Sequence, residues 1–221
     1  MTIRRLVLLR HGETNFNTEG RMQGQRDTEL TDLGRRQAAD VAATLAKLDP
    51  LLIVSSDLRR ARETAQALAE QTGQPIRIDP RLREMHLGHW QGLTEPEIDS
   101  AAPGSRRQWH DDPTWARHGG ESRVDVAERA LPVVEHLVMD QPDWGGDEPD
   151  RPVVLTAHNA VIAALTAALL GLPVENWPAL GGLSNASWVQ LSGHSGDSAA
   201  DGIRWRMDVW NATARVASEV L

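Results

Sequence analysis

The residues of this chain that could do chemistry follow its apolar segments, at the points where those segments end. Residues 10–12 (Arg-His-Gly) come after the first apolar segment, residues 55–62 after the second, 81–84 after the third and 157–158 after the fourth. Together they supply two histidines, several arginines and a carboxylate. Phosphoryl transfer without a metal requires this set: a nucleophile, positive donors for the phosphoryl oxygens and an acid for the leaving group.

Alternating apolar segments and helical patterns place these residues at one edge of a sheet. Apolar runs predict strands at 3–9, 51–55, 76–78 and 152–157, followed by an antiparallel pair at 186–191 and 203–210. Apolar residues at helical spacing predict helices at 31–48, 57–71, 122–139 and 159–170. This order predicts an α/β three-layer sandwich, with a mostly parallel sheet flanked by helices and an antiparallel edge strand. Ligands of such sheets bind beyond the carboxyl ends of the strands.

Local signals predict where the helices begin and end. Thr31 is a candidate N-cap, Ser122 and Asp125 resemble a capping box, and Gly73 is a C-terminal breaker. Pro132 is expected to kink the helix that contains it or to mark its boundary. Residues 93–121, rich in proline, glycine, tryptophan and charge, are expected to form an insertion that covers the active site within a single domain spanning 1–221.

The composition excludes several classes of protein. The chain has 221 residues, 40% of them hydrophobic, and no cysteine, so disulfides, thiolate metal sites and cysteine nucleophiles are excluded. The net charge of -8 argues against nucleic-acid binding, so an anionic ligand would need a local cationic pocket. The apolar run at 160–172 is too short for a membrane span, and the N-terminus has no signal-peptide pattern. We therefore expect a cytoplasmic protein that binds neither nucleic acid nor membrane.

Four segments resemble one family in order and spacing. LLRHGETNFN, SSDLRRARETA, LREMHLGHWQG and VLTAHNAVIAAL are similar to the motifs of the histidine phosphatase superfamily, which includes the cofactor-dependent phosphoglycerate mutases. The resemblance covers nearly the whole chain and implies a phosphoglycerate mutase-like fold. Within the superfamily, RMQGQRDTEL, PLLIVSSDLRRA, HLGHWQGLT, HGGESRVDVA and NWPALGGLSNASW are most similar to a mycobacterial group. Members of that group hydrolyse glucosyl-3-phosphoglycerate to glucosylglycerate and phosphate, in methylglucose lipopolysaccharide biosynthesis.

The resemblance implies a role for each catalytic candidate. His11 would be the nucleophile that forms a phosphohistidine, which requires a neutral ring. Arg10, Arg60 and His158 would surround the phosphoryl oxygens. Glu84 would protonate the departing alkoxide and then activate water against the phosphohistidine.

The resemblance also implies the substrate contacts. Asn17, Gln23 and Gly24 match positions that touch the phosphate, and Gly12 is expected to allow tight packing beside it. No cofactor and no metal are implied, and a homodimer is expected because dimers are common among the relatives. Further substrate contacts are expected from three residues in the insertion and after the second histidine: Arg117, His118 and Asn159.

Each candidate also has a purely structural interpretation. A histidine at a strand end is often only hydrogen-bonded. Taken alone, Arg60 would be a solvated helix residue and Glu84 a surface carboxylate, and it is their ordered spacing that favours catalysis. Arg59, beside Arg60, is expected to be solvated. His86 and His89 are three residues apart, as in a metal pair, but no third ligand lies nearby in the sequence.

Two features leave alternatives open. Many family members have glycines after the second histidine, where this chain has Asn159 and Ala160. The asparagine amide would either donate to a phosphate oxygen or crowd the pocket. Trp90, Trp109 and Trp115 would either pack in the interior or stack on a sugar.

Three functions compete. The first is a metal-independent phosphatase acting on glucosyl-3-phosphoglycerate, with a broad-specificity phosphomonoesterase as its variant. The second is a phosphoglycerate mutase, which the short connection between Glu84 and the 120s disfavours. The third is a non-catalytic module that binds phosphorylated ligands, which the presence of both His11 and Glu84 disfavours.

Overall fold

The computed structural model describes residues 2–116, 119–145, 151–195 and 202–214. Within these ranges one sheet contains β1 (Ile3–Arg10), β2 (Leu52–Ser55), β3 (Ile76–Ile78), β4 (Val153–Ala157), β5 (Trp188–Ser195) and β6 (Ile203–Ala212). The strands lie in the order β3, β2, β4, β1, β5, β6. The first four are mutually parallel, and β5 runs antiparallel to both β1 and β6. The predicted fold class, with its antiparallel pair at one edge of the sheet, is confirmed.

The four predicted helices are present, and three short ones were not predicted. The predicted ones are α2 (Asp32–Leu45), α3 (Arg59–Thr72), α6 (Arg123–Asp140) and α7 (Asn159–Leu169); the others are α1 (Asn15–Thr18), α4 (Glu95–Ala101) and α5 (Ser105–Asp111). Helices of four to seven residues are too short to show an apolar period. In the ranges that the structure describes, no helix is both long and apolar enough to cross a membrane.

The helix ends follow the local signals. The Thr31 hydroxyl accepts the N–H of Gly34 at 3.0 Å, and Ser122 and Asp125 form a reciprocal capping box. The α6 helix continues through Pro132 to Asp140, so the proline does not mark a boundary. The buried face of α6 packs on the sheet, which compensates for the hydrogen bond that proline cannot make.

Helices cover both faces of the sheet and bury β1. Leu6 and Leu8 of β1 belong to the apolar core that includes α6 and α7, whereas Val7 and Leu9 belong to the core that includes α2 and α3. Alternate residues of a strand point to opposite faces, so both faces of β1 are packed. The strand is therefore a rigid support for the residues that follow Arg10.

The strand register brings the candidate residues to one edge of the sheet. Arg10 pairs with Ala157, and Ser55 pairs with Thr156, so β1, β2 and β4 end side by side. The His11 N–H donates to the Ala157 carbonyl at 3.2 Å. After β3, the chain turns through a short 3-10 helix at Pro80–Leu82 and brings Glu84 to the same edge.

Candidate active site

A cavity of about 150 Å³ lies at the carboxyl ends of β1 and β4. It is lined by eight predicted site residues: Arg10, His11, Asn17, Gln23, Gly24, Arg60, Glu84 and Asn159. His158 does not line it, and the predicted contacts Arg117 and His118 lie outside the described residues. The other lining residues are Arg21, Met22, Met85, Leu87, Trp109 and Ala160.

His11 is buried and held as one tautomer. Its Nδ1 lies 2.7 Å from the carbonyl oxygen of Gly12, so Nδ1 carries the proton and donates it. Its Nε2 accepts a hydrogen bond from Nε of Arg60 at 3.2 Å and therefore holds the lone pair. Burial lowers the pKa of His11 well below its usual value, and the charges of Arg60 and Arg10 lower it further. The ring is neutral at neutral pH, as a nitrogen nucleophile must be.

Gly12 fixes the chain after His11 by packing on a helix. A Cβ added to Gly12 would lie 2.4 Å from the carbonyl oxygen of Gly34 in α2. The Gly12 N–H also donates to Oγ1 of Thr64 in α3 at 3.1 Å. Gly12 therefore packs tightly on α2, and the expected packing beside the phosphate stays a prediction.

Arg60 donates hydrogen bonds both to the loop at 23–26 and to the two histidines of the site. The side chain is fully buried, Nη1 donates to the Arg26 carbonyl at 2.7 Å, and Nη2 donates to the Gly24 carbonyl at 2.8 Å. Burial lowers the pKa of Arg60 to about 10, so the guanidinium remains charged at neutral pH. Arg59 faces the other way, where it is exposed and pairs with acidic side chains that include Glu63 at 2.6 Å.

Arg10 provides a second, partly buried guanidinium. One of its terminal nitrogens donates to the Leu183 carbonyl, while its Nε is buried without a hydrogen-bond partner among the described residues. Burial lowers the pKa of Arg10, and the nearby carboxylate of Glu84 opposes that change. A buried N–H without a partner is costly unless a ligand accepts it, so Arg10 suits an anionic group in the cavity.

His158 lies against Arg60 and His11. The ring is fully buried, its Nδ1 accepts from Nε of Arg60 at 3.2 Å, and its centroid lies 5.1 Å from that of His11. Its Nε2 lies 2.9 Å from Oγ of Ser56 and carries the proton of the neutral ring. Burial lowers the pKa of His158 well below its usual value, and the charge of Arg60 adds to this.

Glu84 brings a carboxylate to the cavity. One oxygen accepts the N–H of Met85 at 2.8 Å, and the other accepts the N–H of Ala160 at 3.3 Å, in the first turn of α7. Two backbone N–H groups therefore hold the carboxyl group beside the cavity.

Three of the predicted substrate-binding side chains are amides whose oxygen atoms accept hydrogen bonds from the protein. Oδ1 of Asn17 accepts from the backbone and side chain of Thr14, Oε1 of Gln23 accepts from Thr28, and Oδ1 of Asn159 accepts the N–H of Leu183 at 2.7 Å. The amide nitrogens of Gln23 and Asn159 are thus the ends left to donate into the cavity.

Gly24 meets two separate constraints. Its φ of 53° lies in the left-handed region, and a Cβ would lie 2.2 Å from Oε1 of Gln91. The left-handed backbone therefore requires glycine here, whereas the contact with the Gln91 side chain could be relieved by a movement of that side chain.

Several residues that hold the site in place were not found from the sequence. Thr64 follows Arg60 by one helical turn and is buried on the same face, a spacing that would have identified it. Ser56 lies in the SSDLRRARETA segment and could have been recognised as a partner for a strand-end histidine. Asn185, which donates to the carbonyl of His11 at 3.3 Å, comes from a distant loop without any local signal.

The other candidates in the sequence are structural in the part of the chain that is described. His86 uses Nδ1 to accept the N–H of Gly88 at 3.2 Å. The residues that the structure describes include no group of three or more His, Cys, Asp or Glu side chains that could hold a metal ion. Trp90 is buried, and its ring packs 5.8 Å from Trp109 and 5.9 Å from Trp115. Of the three indoles, only that of Trp109 lines the cavity.

Comparison with known proteins gives concordant matches. Residues 6–211 match the family model of the histidine phosphatase superfamily (branch 1). The chain is 65% identical over 225 residues to the glucosyl-3-phosphoglycerate phosphatase of Mycolicibacterium vanbaalenii and 64% identical over 223 residues to that of Mycobacterium tuberculosis, with all of each chain covered. A solved structure of a mycobacterial glucosyl-3-phosphoglycerate phosphatase with inorganic phosphate is 63% identical, has a TM-score of 0.89, and covers 96% of this chain and 99% of its own.

Proposed function

The chain belongs to the histidine phosphatase superfamily and is an enzyme of the phosphatase class, and we propose that it hydrolyses glucosyl-3-phosphoglycerate to glucosylglycerate and phosphate. The observation that carries the mechanism is the buried, neutral His11, whose Nε2 lone pair lies beside the guanidinium of Arg60. The substrate is supported by the names of the relatives that match over their full length.

In the first step, Nε2 of His11 attacks phosphorus. The P–N bond forms as the P–O bond to the glycerate breaks, and Glu84 gives its proton to the departing alkoxide. Arg10 and Arg60 bind the phosphoryl oxygens, and their charges stabilise the transition state. Arg10 lines the cavity, and its Nε has no acceptor among the described residues. Direct contact of His158 with the phosphoryl group stays a prediction.

In the second step, water attacks the phosphohistidine. Glu84, now a carboxylate, takes the proton of the attacking water, the P–N bond breaks, and its electrons return to Nε2 of His11. Phosphate leaves, and Glu84 is again protonated for the next turnover. His11, Glu84 and water account for every bond and proton in both steps without a metal ion, so we propose that the activity is metal-independent.

The same cavity offers contacts for the rest of the substrate. Its wall includes Met22, Leu87 and the indole of Trp109, which can stack on the apolar face of a glucosyl ring. The predicted contacts of Arg117 and His118 with the glycerate carboxylate belong to this proposal. So do the phosphate contacts of Asn17, Gln23, Gly24 and Asn159.

Phosphate release by the purified protein in EDTA tests the proposal. The compounds are glucosyl-3-phosphoglycerate, mannosyl-3-phosphoglycerate, 3-phosphoglycerate and p-nitrophenyl phosphate, with His11→Ala as control. We expect the highest kcat/KM for the glucosyl compound and no release by His11→Ala. Release from p-nitrophenyl phosphate alone would overturn the substrate, and interconversion of 2- and 3-phosphoglycerate would indicate a mutase. Loss of release in EDTA would overturn metal independence.

Three further expectations depend on this substrate or on the family resemblance. The enzyme would act in methylglucose lipopolysaccharide biosynthesis, so loss of the gene should lower the amount of that polysaccharide. The cytoplasmic location would be tested by cell fractionation. The homodimer would be tested by light scattering of the purified protein.

A further inference from the structure

Arg129 of α6 holds the backbone that carries Glu84. Its Nη2 donates to the Glu84 carbonyl at 3.0 Å, and its Nη1 donates to the Arg81 carbonyl at 2.6 Å. These acceptors lie at the end of the 3-10 helix and in the loop that follows it, where backbone carbonyls lack helical partners. A single guanidinium therefore fixes the chain three residues before the proposed acid and at the carbonyl of the acid itself.

Glu121 fixes the chain on the other side of Glu84. It accepts two hydrogen bonds from Arg129, from Nε at 2.7 Å and from Nη2 at 3.0 Å. The same carboxylate accepts the N–H of His86 at 2.7 Å, and the N–H of Glu121 donates to the His86 carbonyl at 2.8 Å. Burial opposes the charge of Glu121, but the bonds from Arg129 and His86 outweigh it, and the pKa of Glu121 is lowered.

The carboxyl group of Glu84 has only backbone N–H partners among the described residues. These come from Met85, its own neighbour, and from Ala160. No side chain of the described residues therefore clamps the carboxyl group directly, and its place depends on the position of its own backbone. That backbone is held by Arg129 and, at 3.1 Å, by Nε2 of Gln25.

We propose that Arg129 and Glu121 form a positioning pair that sets the distance from Glu84 to the leaving oxygen and to the attacking water. The inference rests on the proposed role of Glu84 as acid and base. Neither Arg129 nor Glu121 lines the cavity, so we assign both to positioning Glu84 and not to substrate contact; the charge of Arg129 also contributes to the lowered pKa of His158. An acid displaced by about 1 Å costs on the order of 10²-fold in rate.

Two substrates separate positioning of the acid from general damage. The alkoxide of glucosyl-3-phosphoglycerate needs a proton to leave, whereas the nitrophenolate of p-nitrophenyl phosphate does not. With p-nitrophenyl phosphate, an enzyme with a misplaced Glu84 should complete the first step and stall before the second. Pre-steady-state release of nitrophenolate then shows a burst equal to the enzyme concentration.

The variants are Arg129→Gln, Arg129→Lys and Glu121→Gln, with Glu84→Gln as reference. Arg151→Gln is the matched control, because Arg151 donates to the carbonyls of Asp49 and Pro50 and pairs with the Asp49 carboxylate before β4, at the far end of the sheet. We expect kcat of Arg129→Gln on the glucosyl compound to fall on the order of 10²-fold with little change in KM. We also expect the burst with p-nitrophenyl phosphate, partial recovery in Arg129→Lys and no change in Arg151→Gln.

The outcomes test the positioning role of Arg129 and Glu121 separately from the proposed catalytic role of Glu84. Equal losses on both substrates without a burst, a change in KM alone, or unchanged activity of Arg129→Gln would overturn the positioning role. If Arg129→Gln does not fold, the nitrophenolate burst is measured with Glu121→Gln, and its presence or absence decides the positioning role. If Glu84→Gln itself shows no burst and loses both substrates equally, the proposed role of Glu84 fails, and the inference fails with it.

Discussion

The close approach of Gly12 and Gly34 predicts what a single methyl group would do to the site. In Gly12→Ala, the new Cβ would meet the Gly34 carbonyl oxygen at 2.4 Å, about 1 Å inside the 3.4 Å at which ordinary contacts begin. The obstacle is backbone at the start of α2, which cannot rotate away as a side chain could. Either β1 or the first turn of α2 must therefore move.

The cost of this movement can be estimated. Overpacking of a close-packed interior costs about 1–3 kcal/mol, and for a chain of this size each kcal/mol lowers Tm by roughly 2–4 °C. The Gly12 carbonyl also holds the Nδ1 proton of His11, so a shift of the backbone moves the nucleophile. We expect kcat to fall on the order of 10²-fold for a displacement of about 1 Å.

Thermal unfolding and the hydrolysis of p-nitrophenyl phosphate measure both effects. Gly34→Ala tests the contact from the helix side, because its Cβ would lie 2.0 Å from the Glu13 carbonyl oxygen. Gly181→Ala is the matched control, since nothing lies within 4 Å of its Cβ and its backbone is not left-handed. If Gly12→Ala unfolds at the wild-type temperature and keeps its activity, the packing argument is wrong.

The remaining predictions concern charge, burial and the sugar. Because the pKa values of His11 and His158 are lowered in the folded state, the unfolded chain binds more protons than the folded chain once the pH falls below about 6.5. The free energy of unfolding should therefore decrease as the pH falls, with a slope that approaches about 2.7 kcal/mol per pH unit when both histidines are protonated in the unfolded chain. Urea titrations from pH 7 to 5 measure this slope, and His11→Asn should halve it. Arg59→Ala should leave both stability and activity close to those of the wild type, because Arg59 is exposed and its ion pairs are screened by solvent. Arg60→Ala should cost about 1–3 kcal/mol for each backbone carbonyl that loses its donor, and should abolish turnover; equal effects at the two positions would contradict the assigned orientations. Trp109→Ala should raise KM for glucosyl-3-phosphoglycerate more than for 3-phosphoglycerate, and an equal rise would exclude stacking on the sugar.

Strand ends and helix caps could be predicted because their signals are local. The apolar run that ends at Arg10 predicts where β1 stops, and a parallel register then places His11 beside His158. The Thr31 cap is likewise readable from a few neighbouring residues. Arg59 was predicted to be solvated, and the structure confirms that it is exposed. Arg60, which the family spacing selects for the phosphoryl oxygens, is buried and lines the cavity, and its contact with the phosphoryl group stays a prediction.

The contacts between distant segments could not be predicted. Gly34 leaves room for Gly12, and Arg129 donates to the backbone carbonyl of Glu84. Neither Gly34 nor Arg129 carries a local signal of this contact in the sequence. Trp109 of the short helix α5 packs against Trp90 of the loop at 85–90, and Ile98 of α4 belongs to the same apolar core, but the length of both helices hides any period. Such features depend on which segments meet, and that is decided by the whole fold.

The most direct test of the account is to trap the phosphoryl group on His11. Glu84→Gln mixed with p-nitrophenyl phosphate should complete the first step without an acid and stall before hydrolysis, and an alkaline quench preserves a phosphohistidine. Trypsin then releases residues 11–21, a peptide in which His11 is the single histidine. The account predicts an acid-labile phosphoryl group on that histidine, equal in amount to the nitrophenolate burst. Nitrophenolate release without a phosphoryl group on His11, or with the group on another residue, would contradict it.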